Sequence, residues 1–264
     1  RKRNEMKRII STLILITAVF NMISASSLTQ EADSAYMNDD FIKAAKLYEE
    51  IAANEGTSSN LFYNLGNAYY RQGKLGLAIL NYERALRLDP SNKDARTNLA
   101  FVNSKITDEP GDRGMFISNT VNGFACKTPA NTWSLIAIGS FVLLLGAIAL
   151  YVFSSNVRLR KTGFFGGILL LGACVLANIM ASIATRYSTS HNEAIIIEPS
   201  TLLSTSPRTP KDRSEEAMLL HEGTKLEILD SVTTRIDSVT TRWYDVKVDN
   251  NNRAWVRASA VERI

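Results

Sequence analysis

Histidine and cysteine, on which metal binding and nucleophilic catalysis often depend, are scarce in this sequence of 264 residues, which has two of each. His191 and His221 lie far apart, and neither has a cysteine or acidic cluster at the spacing of metal ligands. No activated nucleophile or carboxylate pair is evident either. We therefore expect a protein without catalytic residues, without a metal site and without a cofactor.

A concentration of charge of one sign is also missing. The chain has 30 Lys+Arg and 26 Asp+Glu, which gives a formal net charge of +4. Proteins that bind nucleic acid present a basic patch or stripe, and the basic residues of this chain form none. We therefore expect no nucleic acid among the partners.

Charge is absent altogether from two long apolar runs, at 133–153 and from 163 to about 183. Each has roughly 21 residues, which at about 1.5 Å per residue spans a hydrocarbon core of roughly 30 Å. A pair of buried core helices is the weaker alternative, because soluble helices seldom run this far without a polar face. The pattern predicts a transmembrane hairpin, and the lack of ionisable groups within it gives no support to ion transport. The short loop between the runs carries Arg158, Arg160 and Lys161.

Small residues recur every four positions in the second run, where they allow a second helix to approach closely. The partner is either the first run, through Gly139 and Gly146, or another protein. The small residues of the second run are Gly163, Gly167, Ala173, Ala177 and Ala181.

The orientation of the hairpin follows from the N-terminal region, which has the pattern of a secretory signal. Lys7 and Arg8 precede an apolar stretch at 9–23 that is too short to span a membrane comfortably, and small residues follow it. An uncleaved anchor is the alternative, because Ile23 is not the small residue that cleavage favours. Export behind this signal leaves the basic loop in the cytoplasm, in agreement with the positive-inside rule. We therefore expect a multi-pass protein of the bacterial inner membrane with both soluble domains periplasmic.

The segment 61–90, LFYNLGNAYYRQGKLGLAILNYERALRLDP, has the residue spacing of a tetratricopeptide repeat. Gly66 and Ala78 are small where the two helices of such a repeat cross. Gly73 is placed to end the first helix and Pro90 to end the second. The residues at the repeat's characteristic positions are Phe62, Leu65, Gly66, Tyr69, Ala78, Tyr82, Ala85 and Pro90.

The same pattern recurs at a distance of 34 residues. Upstream, Ala44 and Tyr48 align with Ala78 and Tyr82. Downstream, the stretch 93–106 supplies half a repeat, which we expect to cap the last apolar face. The sequence therefore predicts an all-α array over about residues 28–107.

The first helix of each repeat lines the concave face of such an array, and several polar residues fall there. Asparagine side chains can pair with both the donors and the acceptors of an extended peptide backbone, and Arg71 can hold a carboxylate. The alternative is that these are ordinary solvated side chains. The candidate peptide-binding residues are Tyr63, Asn64, Asn67, Tyr70, Arg71 and Asn98.

After the second apolar run the pattern changes to short stretches in which apolar and polar residues alternate. The segments HEGTKLEIL (221–229), WYDV (243–246) and AWVRASAVERI (254–264) resemble, in that order, bacterial SH3-type domains. The resemblance implies a small all-β barrel. The chain departs from the pattern at Ala254, where glycine is usual, and at 250–252, where three asparagines suit a turn with positive φ.

Two tryptophans of this region, Trp243 and Trp255, are candidates for an aromatic platform that binds a peptide or a glycan. Strand alternation places Trp243 on the face opposite Tyr244 and Val246, which would leave it partly exposed. Half-buried packing against the long loop is the interpretation that we favour.

The hexapeptide DSVTTR occurs twice, at 230–235 and 237–242. A seven-residue insertion inside a paired strand would exchange its two faces, so we expect the duplication in a hairpin tip. There it extends the loop at little cost in free energy.

The order of these parts resembles the BatE family of bacterial aerotolerance operons, which implies an inner-membrane scaffold acting with von Willebrand-type Bat proteins. Such resemblance brings no catalytic residues. Two further hypotheses are a cell-envelope tether, whose SH3-like domain binds peptidoglycan, and an accessory subunit of an envelope enzyme.

The expected class is a multidomain membrane protein with an all-α tetratricopeptide array, a two-helix transmembrane hairpin and a small all-β SH3-like barrel. The expected parts are 1–27 signal peptide, 28–107 repeat domain with capping helix, 108–132 linker, 133–153 first transmembrane helix, 154–162 cytoplasmic basic loop, 163–185 second transmembrane helix, 186–193 linker and 194–264 SH3-like domain.

Overall fold

The computed structural model describes residues 28–108, 116–236 and 239–264, so the expected signal segment 1–27 lies outside the described residues. Within the described part, helices come first along the chain and strands follow. The helices are α1 (28–37), α2 (Phe41–Asn54), α3 (Ser59–Arg71), α4 (Leu75–Leu88), α5 (Lys93–Asn103), α6 (Phe116–Ala125), α7 (Ala130–Phe153) and α8 (Val157–Thr189).

Helices α1 to α5 form a helical array with the 34-residue period of the sequence. Helices α2 and α4 each have 14 residues and begin 34 residues apart, as α3 and α5 do. The N-caps repeat as well: the Ser58 and Asn92 side chains accept hydrogen bonds from the Leu61 and Ala95 backbone N–H groups. The helix α5 therefore starts as a third repeat would, and it covers the end of the array.

The close crossing predicted at Gly66 is present. A Cβ added to Gly66 would lie 2.7 Å from Tyr82 Cε1, which is nearer than side chains pack. Tyr82 and Ala78 are buried beneath α3. Gly73 has φ +77 and follows the last turn of α3, where a left-handed residue closes the helix without a Cβ penalty.

Helices α7 and α8 are long and apolar enough, by length and composition, to cross a membrane. They pack against each other at Gly163, where an added Cβ would lie 2.7 Å from the Ala147 carbonyl oxygen. Ala177 of the small-residue stripe is buried, but an added Cβ at Gly139 or Gly146 would meet nothing within 4 Å. The first helix therefore contributes Ala147, and not the two expected glycines, to the contact.

The connection between these helices is shorter than the sequence predicted. Helix α7 ends at Phe153 and α8 begins at Val157, so Arg158, Arg160 and Lys161 lie in the first turns of α8 and not in a loop. The 33 residues of α8 are about 50 Å long. The length of α8 exceeds the thickness of a hydrocarbon core, which is roughly 30 Å. The helix therefore continues into the expected linker 186–193.

The C-terminal part is a curled antiparallel sheet. A short 3₁₀ turn, Ala258–Ala260, separates its last two strands. The inward face is closed by aliphatic side chains, and Ala254 is among them with 2% exposure. The strands are β1 (Glu193–Ile196), β2 (Ser200–Ser204), β3 (Glu216–His221), β4 (Lys225–Ile236), β5 (Val239–Lys247), β6 (Arg253–Arg257) and β7 (Val261–Arg263). Their order in the sheet is β3-β2-β6-β5-β4-β1-β7.

The duplicated hexapeptide builds the two arms of the β4–β5 hairpin. The backbone pairs Thr233 with Arg242 and Thr234 with Thr241, so the first copy lies beside the second near the tip. A bulge between Ile228 and Asp230 adjusts the register where this extension begins. The duplication thus lengthens the hairpin, but its copies form paired strands and not the expected loop extension at the tip, because residues were added to both arms together.

The turn at 250–252 is built differently from the prediction. Among the described residues, Asp39 is the only non-glycine with positive φ, so the asparagines do not adopt the left-handed conformation. Instead, Asp249 Oδ1 accepts hydrogen bonds from the Asn251 and Asn252 backbone N–H groups at 2.8 and 2.9 Å. The Asn252 Nδ2 group also donates to Asp249 Oδ2 at 2.6 Å. This side-chain bond is the main cause that lowers the pKa of Asp249, and the backbone bonds lower it further, since all of them favour the charged form. A side-chain cap therefore closes this turn.

The sheet packs directly on α4. The Gly76 N–H donates to Glu222 Oε2 at 2.8 Å, and an added Cβ at Gly76 would lie 2.6 Å from the Ile196 carbonyl oxygen. An added Cβ at Gly223 would lie 2.7 Å from Ile79 Cδ1. This outward face of the array is consequently covered by the sheet.

Candidate functional site

The array also contains an open groove, which lies between α1, α2 and α3. Its cavity has a volume of about 270 Å³. The exposed end is marked by Met37, whose side chain is 81% accessible. We call this feature the array groove, and its lining residues are Asp33, Tyr36, Met37, Tyr48, Asn64 and Asn67.

Partly buried hydrogen bonds fix the floor of the groove. Tyr48 donates its hydroxyl to Asp33 Oδ1 at 2.6 Å, and Tyr82 donates to Asn67 Oδ1 at the same distance. Burial raises the pKa of both tyrosines, and for Tyr48 the bond to Asp33 raises it further. Both phenols therefore remain protonated donors at physiological pH.

The structure pairs two of the candidate peptide-binding residues, Asn67 and Asn98, with each other. Asn98 Nδ2 donates to Asn67 Oδ1 at 2.9 Å, so this oxygen accepts from both Asn98 and Tyr82. The Asn67 Nδ2 group has no acceptor among the residues that the structure describes. Asn67 is thus oriented as a donor toward the groove.

Arg71 lies apart from this pair. Its Nη2 contacts Asp39 Oδ1 at 3.1 Å, and its guanidinium lies 4.2 Å from the centroid of the Phe41 ring. Arg71 therefore contacts a carboxylate of this chain and is not part of the Asn67–Asn98 pair. The left-handed turn at Asp39, φ 59, supplies a carboxylate within this chain that Arg71 already holds.

The remaining predicted residues extend the groove side toward α5. The Tyr63 ring lies 6.1 Å from the Tyr82 ring, and the Tyr70 ring lies 5.8 Å from that of Phe101. Lys105 donates to the Tyr70 hydroxyl at 3.1 Å and lies 4.5 Å from the centroid of Phe101. This end therefore combines exposed aromatic surface with a positive charge.

Sequence reasoning missed Asp33, Tyr36 and Met37. The 34-residue period could have identified them as groove residues, because they align with Asn67, Tyr70 and Arg71 of the next repeat. The sequence prediction treated α1 only as part of the array. Applying the repeat frame to residues 28–37 would have found all three.

The aromatic platform expected on the sheet is not formed by Trp243. This side chain is 3% exposed and lies between Val232 and Arg257 on the neighbouring strands. Trp255 is half-buried, beside Ser204 and opposite Asp245. Trp243 therefore has no face available to a peptide or glycan, because it is packed inside the sheet structure.

Chemically, the groove offers hydrogen-bond donors, a carboxylate and aromatic surface. Within the described ranges, no three His, Cys, Asp or Glu side chains converge as a metal site would require. The Asp33 carboxylate accepts a hydrogen bond from the Tyr48 hydroxyl. These groups are suited to binding a chain with alternating donors and acceptors, such as a peptide backbone.

Comparison with protein families identifies a TPR repeat at residues 66–106. This range covers the end of α3, all of α4 and all of α5. A comparison with curated proteins finds no match. TPR repeats are typical of non-catalytic modules that interact with proteins, and the match supports that role for the array.

Proposed function

We propose that this chain is a non-catalytic scaffold of the bacterial inner membrane that binds an extended segment of protein partners in its array groove. The observation that carries the proposal is the asymmetry of the array. Its α4 face is occupied by the sheet through Gly76 and Glu222, whereas the groove between α1 and α3 is open. The residues that remain available are those that suit a peptide backbone.

Asn67 is central to this binding. Because Tyr82 and Asn98 fix its oxygen, its Nδ2 group is held ready to donate to a peptide carbonyl. Tyr36 and Met37 provide adjacent apolar contact, and the Lys105 end favours an acidic residue in the partner. Preorganised groups lose less conformational entropy on binding, which favours affinity.

The packing of the array on the sheet supports the proposed membrane arrangement. The two soluble parts contact each other, so they must share one side of any membrane that α7 and α8 cross. The cations Arg158, Arg160 and Lys161 lie at the other end of this hairpin, where the positive-inside rule favours the cytoplasm. We propose that the soluble parts are periplasmic and that the sheet is an SH3-like barrel, with its 3₁₀ turn before the last strand.

The expected partners are membrane proteins, and the resemblance to the BatE family favours von Willebrand-type Bat proteins. Crosslinking followed by purification of the full chain from native membranes tests this proposal. Asn67→Asp keeps the oxygens that accept from Tyr82 and Asn98 but removes the NH₂ donor. We expect capture of partners to fall about tenfold, since a lost hydrogen bond and the added repulsion are worth about 1–2 kcal/mol.

The matched control is Asn60→Asp, the same substitution at an exposed position of α3 outside the groove. Unchanged capture is expected there. If Asn67→Asp captures every partner while Trp255→Ala loses them, the sheet is the binding module and the groove proposal is wrong. Retention of the parent chain on purified peptidoglycan, lost in Trp255→Ala, would favour the tether function instead.

A further inference from the structure

The far end of the helix hairpin contains a second concavity, separate from the array groove. It has a volume of about 340 Å³ and lies where α7 ends and α8 begins. Its members on α8 follow the helical spacing i, i+3, i+4, i+7, i+8, so they share one face. They are Tyr151 of α7 with Val157, Arg160, Lys161, Phe164 and Phe165 of α8.

The cations of this end have no counter-ion in their part of the chain. The sequence contains no Asp or Glu between Asp112 and Glu193. In the described part of the structure, no salt bridge involves Arg158, Arg160 or Lys161. An anion that neutralises them must therefore come from outside this segment.

Aromatic rings hold the concavity in shape. The Arg160 guanidinium lies 5.5 Å from the centroid of Tyr151, and the rings of Tyr151 and Phe164 are 5.9 Å apart. Phe165 packs edge-on against Phe164 at 5.3 Å. The site thus combines two cations with an apolar wall, at the depth where headgroups meet acyl chains if α7 and α8 span the bilayer.

We propose that this concavity binds the phosphate of an anionic phospholipid, with Arg160 and Lys161 as the cationic partners. Tyr151, Phe164 and Phe165 form the wall beside the glycerol and upper acyl carbons. Arg158 is outside the concavity and contributes only general positive charge. The inference rests on the membrane placement proposed above, but it is independent of peptide binding in the array groove.

The test uses the full chain purified in detergent, with phosphatidylglycerol and phosphatidylcholine as the added lipids and native mass spectrometry as the readout. The parent is expected to retain phosphatidylglycerol at least about fivefold more than phosphatidylcholine. Arg160→Gln should reduce the retained phosphatidylglycerol about fivefold or more, and Arg158→Gln less than twofold. Both substitutions remove one charge from the same exposed helical turn, so they form a matched pair.

Equal losses of phosphatidylglycerol in the Arg160 and Arg158 variants would overturn the proposed site. Such a result would show that the lipid is attracted by the overall positive charge of this end and not by the concavity. Equal retention of the two lipids would also overturn it. Inorganic phosphate is added as a competitor, and displacement of phosphatidylglycerol at millimolar concentration would identify a soluble phosphate as the ligand instead. If the chain can be extracted from membranes without detergent, the membrane placement is wrong. The scaffold proposal is tested separately, by partner capture with the Asn67 variant, so the failure of one proposal can be distinguished from the failure of the other.

Discussion

Arg87 Nη2 on α4 donates to Glu193 Oε2 on β1 at 2.8 Å, across a sequence separation of 106 residues. Lys225 contacts the same carboxylate oxygen at 3.0 Å and Glu83 at 3.2 Å, while Arg87 also donates to the Ile264 carbonyl oxygen at 2.9 Å. Two cations and two carboxylates thus alternate between the array and the sheet. This network holds the two soluble parts in one arrangement.

The network predicts that Arg87→Ala strongly lowers the stability of the folded chain. Arg87 is 9% exposed, and its removal leaves the Glu193 carboxylate with one cation instead of two in a mostly buried site. We expect the free energy of unfolding to fall by about 3 kcal/mol, as breaking a buried pair typically costs. Thermal unfolding of the full chain in detergent measures this change.

Arg84→Ala provides the matched control, on the same helix and at the same junction. Arg84 pairs with Glu262, whose side chain is 44% exposed, so solvent screens the interaction. We expect a loss below about 1 kcal/mol. Equal losses in the two variants would contradict a special role for the Arg87 network.

Acid should loosen the junction. Burial alone would raise the pKa of Glu193 and of Asp108, but Lys225 lowers that of Glu193, and hydrogen bonds from His221 and Thr224 lower that of Asp108. Carboxyl groups whose pKa is lower in the folded state stabilise it above their ordinary values, which are 4.5 and 3.8 here. That stabilisation is lost as the pH falls below about 4.5 and through the folded values.

The measurement for this prediction is the melting temperature of the full chain between about pH 6 and pH 3. The double variant Glu193→Gln with Asp108→Asn should start less stable and lose less on acidification than the parent, because neither position then titrates. An identical pH profile for variant and parent would assign the acid sensitivity to other carboxylates.

Gly66→Ala should destabilise the array although it adds a single methyl group. The new Cβ would lie 2.7 Å from the ring of Tyr82, which is buried and held by its bond to Asn67. Overpacking of this kind typically costs about 1–3 kcal/mol, and Gly66→Leu should cost more. Ala53→Leu, at an exposed position of α2, is the control, and the melting temperature of the full chain is the readout.

Reporter fusions test the proposed topology. A reporter after Ser155 should be cytoplasmic, and reporters after Asp108 and Ile264 should be periplasmic. The physical basis is the positive charge at the start of α8 together with the direct contact of array and sheet on one side. A cytoplasmic reporter at Ile264 would reverse the arrangement.

Features set by local spacing could be predicted from the sequence. Gly66, Ala78 and Tyr82 recur at the positions that helix crossing requires, because small residues allow close approach and large ones fill the adjacent gaps. The two uncharged runs predicted α7 and α8 through length alone. The duplicated DSVTTR predicted an extension at a hairpin, although as a loop and not as the paired strands that it forms. In each case the relevant physics acts within one or two neighbouring elements.

The partners of individual side chains depended on the tertiary structure. Arg71 has the position of a groove residue, yet the turn at Asp39 gives it a nearer carboxylate. Trp243 was expected to be half-buried against the long loop, yet the neighbouring strands bury it almost completely. The pairing of Arg87 with Glu193 joins residues 106 positions apart, and no local period encodes it. Periodicity states which face of an element a side chain occupies; only packing in three dimensions determines what that face meets.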